Sequence, residues 1–297
     1  MGMDACTLCP RMCGVNRAAG EKGYCGMDAT IRAARAALHM WEEPCISGTQ
    51  GSGAVFFSGC SLRCIFCQNF EIAEGNCAKE ISGERLSEIF LELQEQGAAN
   101  INLVTAAHYV PAVIESLKKA KAQGMDLPVI YNSSGYERVE TVQMLEEVVD
   151  VWLPDFKYMD SKLAFAYSRA KDYPEVARAA IREMMKAAGT CAYDEDGYIQ
   201  KGVIVRHLIL PGHTKNSIAV LDELYGTYGD DLTISLMNQY TPLPQVWNIP
   251  DLNRRVTKRE YEKVLDHALD LGITQGFFQE GGTAKESFIP LFDYEGL

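Results

Sequence analysis

Positive charge is scarce in this chain. Its 297 residues hold 28 Lys and Arg against 40 Asp and Glu, a formal net charge of −12. No basic stripe is available to displace counterions from phosphates, which argues against a nucleic-acid partner. Long hydrophobic runs are also missing: no stretch approaches the roughly 20 apolar residues of a membrane helix, so no membrane association is expected. The first residues, "MGMDACTLCPRMCG", lack the apolar core of a signal peptide. They begin like a myristoylation site, but Cys6 stands where that motif needs Ser or Thr. Low-complexity segments are absent, and a 47% hydrophobic, 23% charged composition is that of an ordinary globular protein. Cysteine, by contrast, is plentiful, with ten residues. Ten cysteines without an export signal point to a reducing cytoplasm, where clustered thiols mean metal more often than disulfides.

The pattern along the chain changes near residue 54. Residues 1–53 carry five of the cysteines and little hydrophobic periodicity apart from "ATIRAARAALHMW". They are expected to form a Cys-rich metal-binding extension. Residues 54–297 alternate strand and helix signals. "AVFF", "INLV", "LPVIY", "VWLPDF", "VIVRHLIL" and "LTISLM" read as strands, and "GITQGFFQ" as a further short one. Between them lie amphipathic runs such as "PEVARAAIREMMKAAG" and "KREYEKVLDHALDLG", the latter opened by a Thr257–Glu260 capping box. Repeated βα units predict an α/β fold with parallel strands and right-handed crossovers, as an open sheet or a barrel. The polar clusters "SGCSLRC", "TAAHY", "NSSGY", "DFKYMD", "RHLILPGH" and "NQYTP" all fall at strand ends. Ligands gather at the C-terminal ends of strands in such folds, so one shared site on one rim is expected.

"SGCSLRCIFCQN" places Cys60, Cys64 and Cys67 in a C-x3-C-x2-C array after the first of these strands. A closed zinc site takes four protein ligands. Three thiolates suit three irons of a four-iron cluster and leave one iron open. The bland alternative is a zinc clip that borrows a fourth ligand such as Cys77. A second array, Cys6, Cys9, Cys13 and Cys25, supplies four thiolates within twenty residues among Gly and Pro. That is the pattern of a closed metal site, with zinc favoured over a second iron–sulfur cluster because the ferredoxin C-x2-C-x2-C run is missing. Cys45, Cys77 and Cys191 are scattered singly and read as ordinary small residues.

The three-cysteine spacing, with Phe66 just before the last Cys, resembles the signature of the radical S-adenosylmethionine (SAM) superfamily. Over about residues 54–250 the order of segments is similar to that of relatives of pyruvate formate-lyase activating enzyme. The stretch "WEEPCISGTQGSGAVFFSGCSLRCIFCQN" resembles the PflX-like subgroup in particular. The resemblance implies a partial (β/α)6 barrel, a [4Fe-4S] cluster at its open top, and SAM chelating the unique iron. Carried over by position, it implies backbone at Ala107 and the side chain of His108 near the SAM amino group, in place of the usual Glu. It places Asn132 and Ser134 near the ribose, Asp155 and Lys157 together with Arg206 at the SAM carboxylate, and Gln239 or Tyr240 after the sixth strand. Guanidinium geometry suits a carboxylate. His39, His207 and His267 read as packing histidines, and His213 as a turn residue.

The function so implied is reductive cleavage of SAM to a 5′-deoxyadenosyl radical that abstracts hydrogen. The electron would come from a reductant such as flavodoxin or ferredoxin. The target is either a backbone glycine of a glycyl radical enzyme partner or a small metabolite or amino acid. A non-catalytic metal-binding or electron-carrier protein is the competing class, and it has no need of the charged strand ends.

Overall fold

In the computed structural model, which describes residues 2–279 and 290–297, ten strands form one sheet. In chain order the elements are β1 (Arg32–His39), α1 (Pro44–Ser47), β2 (Ser52–Phe57), α2 (Phe70–Ala73), β3 (Lys79–Glu80), α3 (Gly83–Glu95), β4 (Ile101–Val104) and α4 (Val110–Ala122). There follow β5 (Val129–Ser133), α5 (Val139–Leu145), β6 (Val151–Pro154), α6 (Ser161–Ser168), α7 (Tyr173–Ala188), β7 (Ala192–Tyr193), β8 (Ile199–Leu208), α8 (Thr214–Tyr228), β9 (Thr233–Met237), α9 (Lys258–Asp270) and β10 (Gly276–Phe278). The strand order is β10-β9-β8-β6-β5-β4-β2-β1-β3, with β7 paired to β8. From β2 to β10 every neighbouring pair along this order is parallel. The expected α/β fold with its short last strand is therefore what the chain forms.

The helices follow their sequence signals. Ser82 caps α3 by accepting from Arg85 N, and Thr257 with Glu260 closes the capping box that opens α9. Proline occupies the first turn of α4 and α7, where a missing N–H costs nothing. Leu86, Ile89, Phe90 and Leu93 of α3, and Ala177, Ala180, Ile181 and Met184 of α7, turn their buried stripes to the outer face of the sheet.

Two features depart from the sequence expectations. "IRAARAAL" contributes β1, which pairs antiparallel to β2, and the small β3 pairs with β1 in turn. The expected division at residues 53/54 falls inside β2, and Cys25, Met27 and Ile31 belong to the same apolar core as the strands and helices. The reason is physical: β1 and its neighbours have no core of their own and take their burial from the sheet.

The inner face of the barrel is organised by register. Neighbours Val104, Asn132, Leu153 and Ile204 form one level, and Asp155, Arg206 and Ser235 the next one up. Leu153 and Ile204, with Ile130, Val151 and Ile199, pack on Cys45 and Ile46 of α1. That short helix closes the floor of the barrel. Asn100 holds it there, its Nδ2 donating to Ile46 O at 2.8 Å. Among the described residues no helix is long and apolar enough to cross a membrane.

Candidate active site

A cavity of about 830 Å3 opens above this floor. Cys60, Cys64, Phe66 and Cys67, on the loop leaving β2, form one wall. Leu62 N and Arg63 N donate to Cys60 Sγ at 3.4 and 3.5 Å, and the Ser168 hydroxyl donates to Cys64 Sγ at 3.0 Å. Phe66 is fixed edge-on to Tyr158 and Tyr167, each with ring centroids at 6.4 Å. Burial pushes the Cys64 thiol up to about 11, and burial with the neighbouring thiols pushes Cys67 further. Such thiols ionise when a metal replaces their protons.

Cys77, the alternative fourth ligand, points elsewhere: its Sγ donates to Phe292 O at 3.0 Å. Among the described residues no group of three or more His, Cys, Asp or Glu side chains is disposed to hold a single metal ion. A zinc shell brings thiolate sulfurs within about 3.8 Å of one another, from its Zn–S length of about 2.3 Å and tetrahedral geometry. Three cysteines that line one pocket can hold three irons of a four-iron cluster and leave one metal uncommitted.

The strand ends supply the opposite wall. Lys157 Nζ is paired with Asp155 Oδ2. Burial disfavours the Lys157 ammonium, but Asp155 and the Cys64 thiolate outweigh that and raise its pKa. Backbone at this rim is pinned by Tyr173, at the start of α7, a residue not singled out from sequence. Its hydroxyl lies 2.8 Å from Ser134 O and 3.0 Å from Asp155 O as donor, and accepts from Lys157 N at 2.9 Å. The close approach of the two strand ends requires Gly135: at its φ of +72° a Cβ would sit 2.1 Å from Asp155 O. Asn132, Ser134 and Gln239 also line the cavity. Gln239 Oε1 accepts from Gln279 Nε2 at 3.0 Å, and Gln239 O accepts from Gln68 Nε2 at 3.1 Å.

Arg206 lines the cavity but does not present a free guanidinium. Its Nε donates to Glu43 Oε1 at 2.8 Å, and its Nη2 donates to the carboxylates of both Glu42 and Glu43. Asn102 Nδ2 donates to Glu42 Oε1 at 3.0 Å, and Asn132 Nδ2 makes a long contact of 3.5 Å to the same oxygen. Burial pushes the Glu43 carboxyl up, but the charge and hydrogen bonds of Arg206 prevail and hold it below the usual carboxylate range. The arginine expected at a ligand carboxylate is thus held by two protein carboxylates in this structure. Neither glutamate was singled out from sequence, although both stand in "WEEPC".

Ala107 and His108 are corrected. They lie in a 3₁₀ turn, Ala107–Tyr109, with His108 1% exposed and outside the cavity lining. His108 Nε2 contacts Ser58 O at 2.7 Å, and burial lowers its pKa to about 3. Thr105 reaches the cavity from this segment instead, with φ of +62°, an uncommon conformation for a β-branched residue. Tyr240 is buried, donating to Leu252 O at 2.7 Å. His207 packs between Phe156 O and Ser217 Oγ at 2.7 and 2.9 Å, while His39 lines the cavity edge-on to Phe56.

The N-terminal cysteines are brought near one another. Cys13 and Cys25 Sγ both flank Gly23, and Arg17 Nη1 lies 3.7 Å from Cys6 Sγ. Cys6, Cys9 and Cys25 are buried and Cys13 exposed, so the four do not form a closed shell around one ion as they stand. The segment abuts the cluster loop: Arg11 Nε donates to Ser61 O at 2.9 Å, and Cys25 O lies 2.9 Å from where a Gly59 Cβ would stand.

A family model described as a 4Fe-4S single cluster domain matches residues 47–170. The chain is 29% identical over 270 residues to MJ0674 of Methanocaldococcus jannaschii, an uncharacterized protein, covering 89% of this chain and 74% of that one. Among solved structures, HydG, a maturase of the [FeFe]-hydrogenase, is similar with a TM-score of 0.53 at 16% identity, over 77% of this chain and 52% of that chain. SuiB of Streptococcus suis, in a structure bound to S-adenosylmethionine, gives a TM-score of 0.49 at 13% identity, over 76% and 50%. A domain of pyruvate-formate lyase-activating enzyme from Bacteroides vulgatus gives 0.41 at 16%, over 58% and 92%. The chain spans about half the length of HydG and SuiB. The likeness to HydG shows the fold.

Proposed function

We propose that this chain, a member of the radical SAM superfamily, uses a [4Fe-4S] cluster on Cys60, Cys64 and Cys67 to cleave SAM reductively. The observation that carries this reading is the three-cysteine loop, whose Cys60, Cys64 and Cys67 line one wall of a cavity shared with the charged strand ends Asp155 and Lys157. The bound cofactors supply one-electron cleavage of SAM and a 5′-deoxyadenosyl radical that abstracts hydrogen. The protein's own part is placement. Ser168 and the backbone amides of Leu62 and Arg63 steady the thiolates, and Lys157 puts a positive charge beside Cys64. Asn132 and Ser134 offer hydrogen bonds to a ribose, and Lys157 offers an ammonium to a carboxylate. Phe66 with Tyr158 and Tyr167 excludes water from the cluster wall.

The hydrogen donor in this reading is a backbone glycine of a glycyl radical enzyme, on the resemblance to activating enzymes. A small amino-acid-like metabolite is the second reading, favoured by a cavity of about 830 Å3, within the size range of small-ligand sites. A flavodoxin or ferredoxin serves as reductant. At the N-terminus, Cys6, Cys9, Cys13 and Cys25 take a structural zinc, with Cys13 completing the set on binding. The test is anaerobic reconstitution followed by SAM and dithionite, with 5′-deoxyadenosine measured by mass spectrometry. Turnover dependent on all three loop cysteines supports the proposal. A protein that loads iron yet yields no 5′-deoxyadenosine refutes it and leaves the electron-carrier class.

A further inference from the structure

The charge inside the cavity does not balance. Among its described lining residues three carboxylates, Glu42, Glu43 and Asp155, face two basic side chains, Lys157 and Arg206. Asp155 is matched by Lys157, so Glu42 and Glu43 share a single cation in Arg206. Both glutamate side chains are under 10% exposed, at 8% and 6%. Neither of the other titratable neighbours supplies the missing charge: burial lowers the pKa of His39, and Cys45 carries no positive charge in either form. An uncompensated buried charge is strongly destabilising unless something pairs with it.

A second observation points to the same kind of partner. Asn102 is fully buried, and the amide that donates to Glu42 carries an Oδ1 without a hydrogen-bond partner. A buried acceptor without a partner calls for a hydrogen-bond donor, and the two carboxylates beside it favour a donor that carries positive charge. Carboxylates accept up to about four hydrogen bonds each, so those made to Arg206, Asn102, Asn132 and Ser235 leave capacity.

We infer that Glu42 and Glu43, carried into the barrel by the segment that forms its floor, are the recognition site for an alkylammonium group of a ligand. That chemistry has two sources, the amino group of SAM and an amine on the substrate. The inference rests on reading the cavity as the binding site for both. It assigns to the N-terminal extension the carboxylate that "TAAHY" lacks.

The test compares wild type with Glu42→Gln and Glu43→Gln, all reconstituted anaerobically. Binding of SAM and of its desamino analogue is measured by equilibrium dialysis, and binding of n-butylammonium against n-butanol by ligand-observed NMR with SAM present. The desamino analogue also loses a contact to iron, but that loss is common to all three proteins and cancels in the ratio. If the ammonium is that of SAM, Glu42→Gln weakens SAM about 10- to 100-fold, as expected for a lost charge-assisted bond, and leaves the analogue unchanged. If it belongs to a substrate, wild type prefers butylammonium to butanol and the variants lose that preference. No Glu-dependent discrimination in either arm overturns the inference. Should Glu42→Gln fail to fold, Glu43→Gln and the wild-type comparison of butylammonium with butanol still decide. A wild type that selects butylammonium yet never cleaves SAM refutes the proposed function and leaves this assignment standing.

Discussion

Arg206→Met separates two accounts of the same arginine. If Arg206 only awaits a ligand carboxylate, its loss weakens SAM and leaves the fold alone. In the structure it neutralises Glu42 and Glu43 with side chains 12%, 8% and 6% exposed. Methionine preserves length and removes the charge, leaving two carboxylates in the barrel with only asparagine amides and a serine. Breaking a buried ion pair from one side costs about 3–5 kcal/mol, a large share of a typical stability of about 5–15 kcal/mol. For a chain of 297 residues that corresponds to a fall of roughly 5–8 °C in Tm. Anaerobic scanning calorimetry measures it.

The pH dependence supplies a second reading of the same variant. In wild type Arg206 depresses the Glu43 pKa, so its stabilisation is present above the unfolded carboxylate pKa and is lost as pH falls through the lower folded value. Without Arg206 burial raises that pKa, so acid protonates the carboxyl and relieves the penalty. The gap between the two proteins should therefore narrow as pH falls from 7 towards 5. The triple variant Arg206→Met, Glu42→Gln, Glu43→Gln should recover most of the lost Tm. A single variant within about 2 °C of wild type, well below the shift from a broken buried pair, with no gain in the triple, refutes the buried triad.

Cys64→Ala should abolish 5′-deoxyadenosine formation, and substantial product by mass spectrometry would count against the cluster assignment. Tyr173→Phe leaves Lys157 N–H without its acceptor and should cost about 1–3 kcal/mol in urea unfolding, while raising the KM for SAM because Ser134 and Asp155 lose the same anchor; unchanged stability and KM would remove Tyr173 from the positioning of this rim. His207, with its pKa lowered by burial to about 4, favours the folded state above the unfolded histidine pKa and loses that contribution as pH falls towards 4; His207→Gln should flatten the stability profile between pH 6.5 and 4, by at most about 1.4 kcal/mol per pH unit. Cys9→Ser should lower thermal stability and zinc content, about one ion per chain in wild type for a four-ligand site, and a reconstituted protein with two clusters' worth of iron and no zinc would replace zinc with a second cluster.

The residues legible in the sequence are those that a strand places. Asp155 and Lys157 sit two apart at the end of β6, and Arg206 lies beside Asp155 on β8, so alternation and strand-end position were enough to bring them to one rim. The cysteine loop was legible because its spacing carries the chemistry. Glu42 and Glu43 were not, because more than 160 residues separate them from Arg206 and no period marks their segment. β1 was hidden by its alanines: Ala33, Ala34, Ala36 and Ala37 favour helix as isolated residues, and only pairing with β2 makes them a strand. His108 was misplaced because it was assigned by position in the resemblance alone, and the 3₁₀ turn Ala107–Tyr109 after β4 buries it outside the cavity lining.

Cys45 and Ile46 make the barrel a cul-de-sac at the end opposite the cluster loop. A ligand seated against Glu42 and Glu43, as inferred above, would rest on this apolar layer, and among the described residues its way out would lead past the cluster loop, so that the deepest-bound molecule would arrive first and depart last. Traffic through the site is then ordered by depth: the shallower molecule must come away before the deeper one can be exchanged. On that reading, release order and the pattern of product inhibition would follow from a four-residue helix that takes no part in the chemistry.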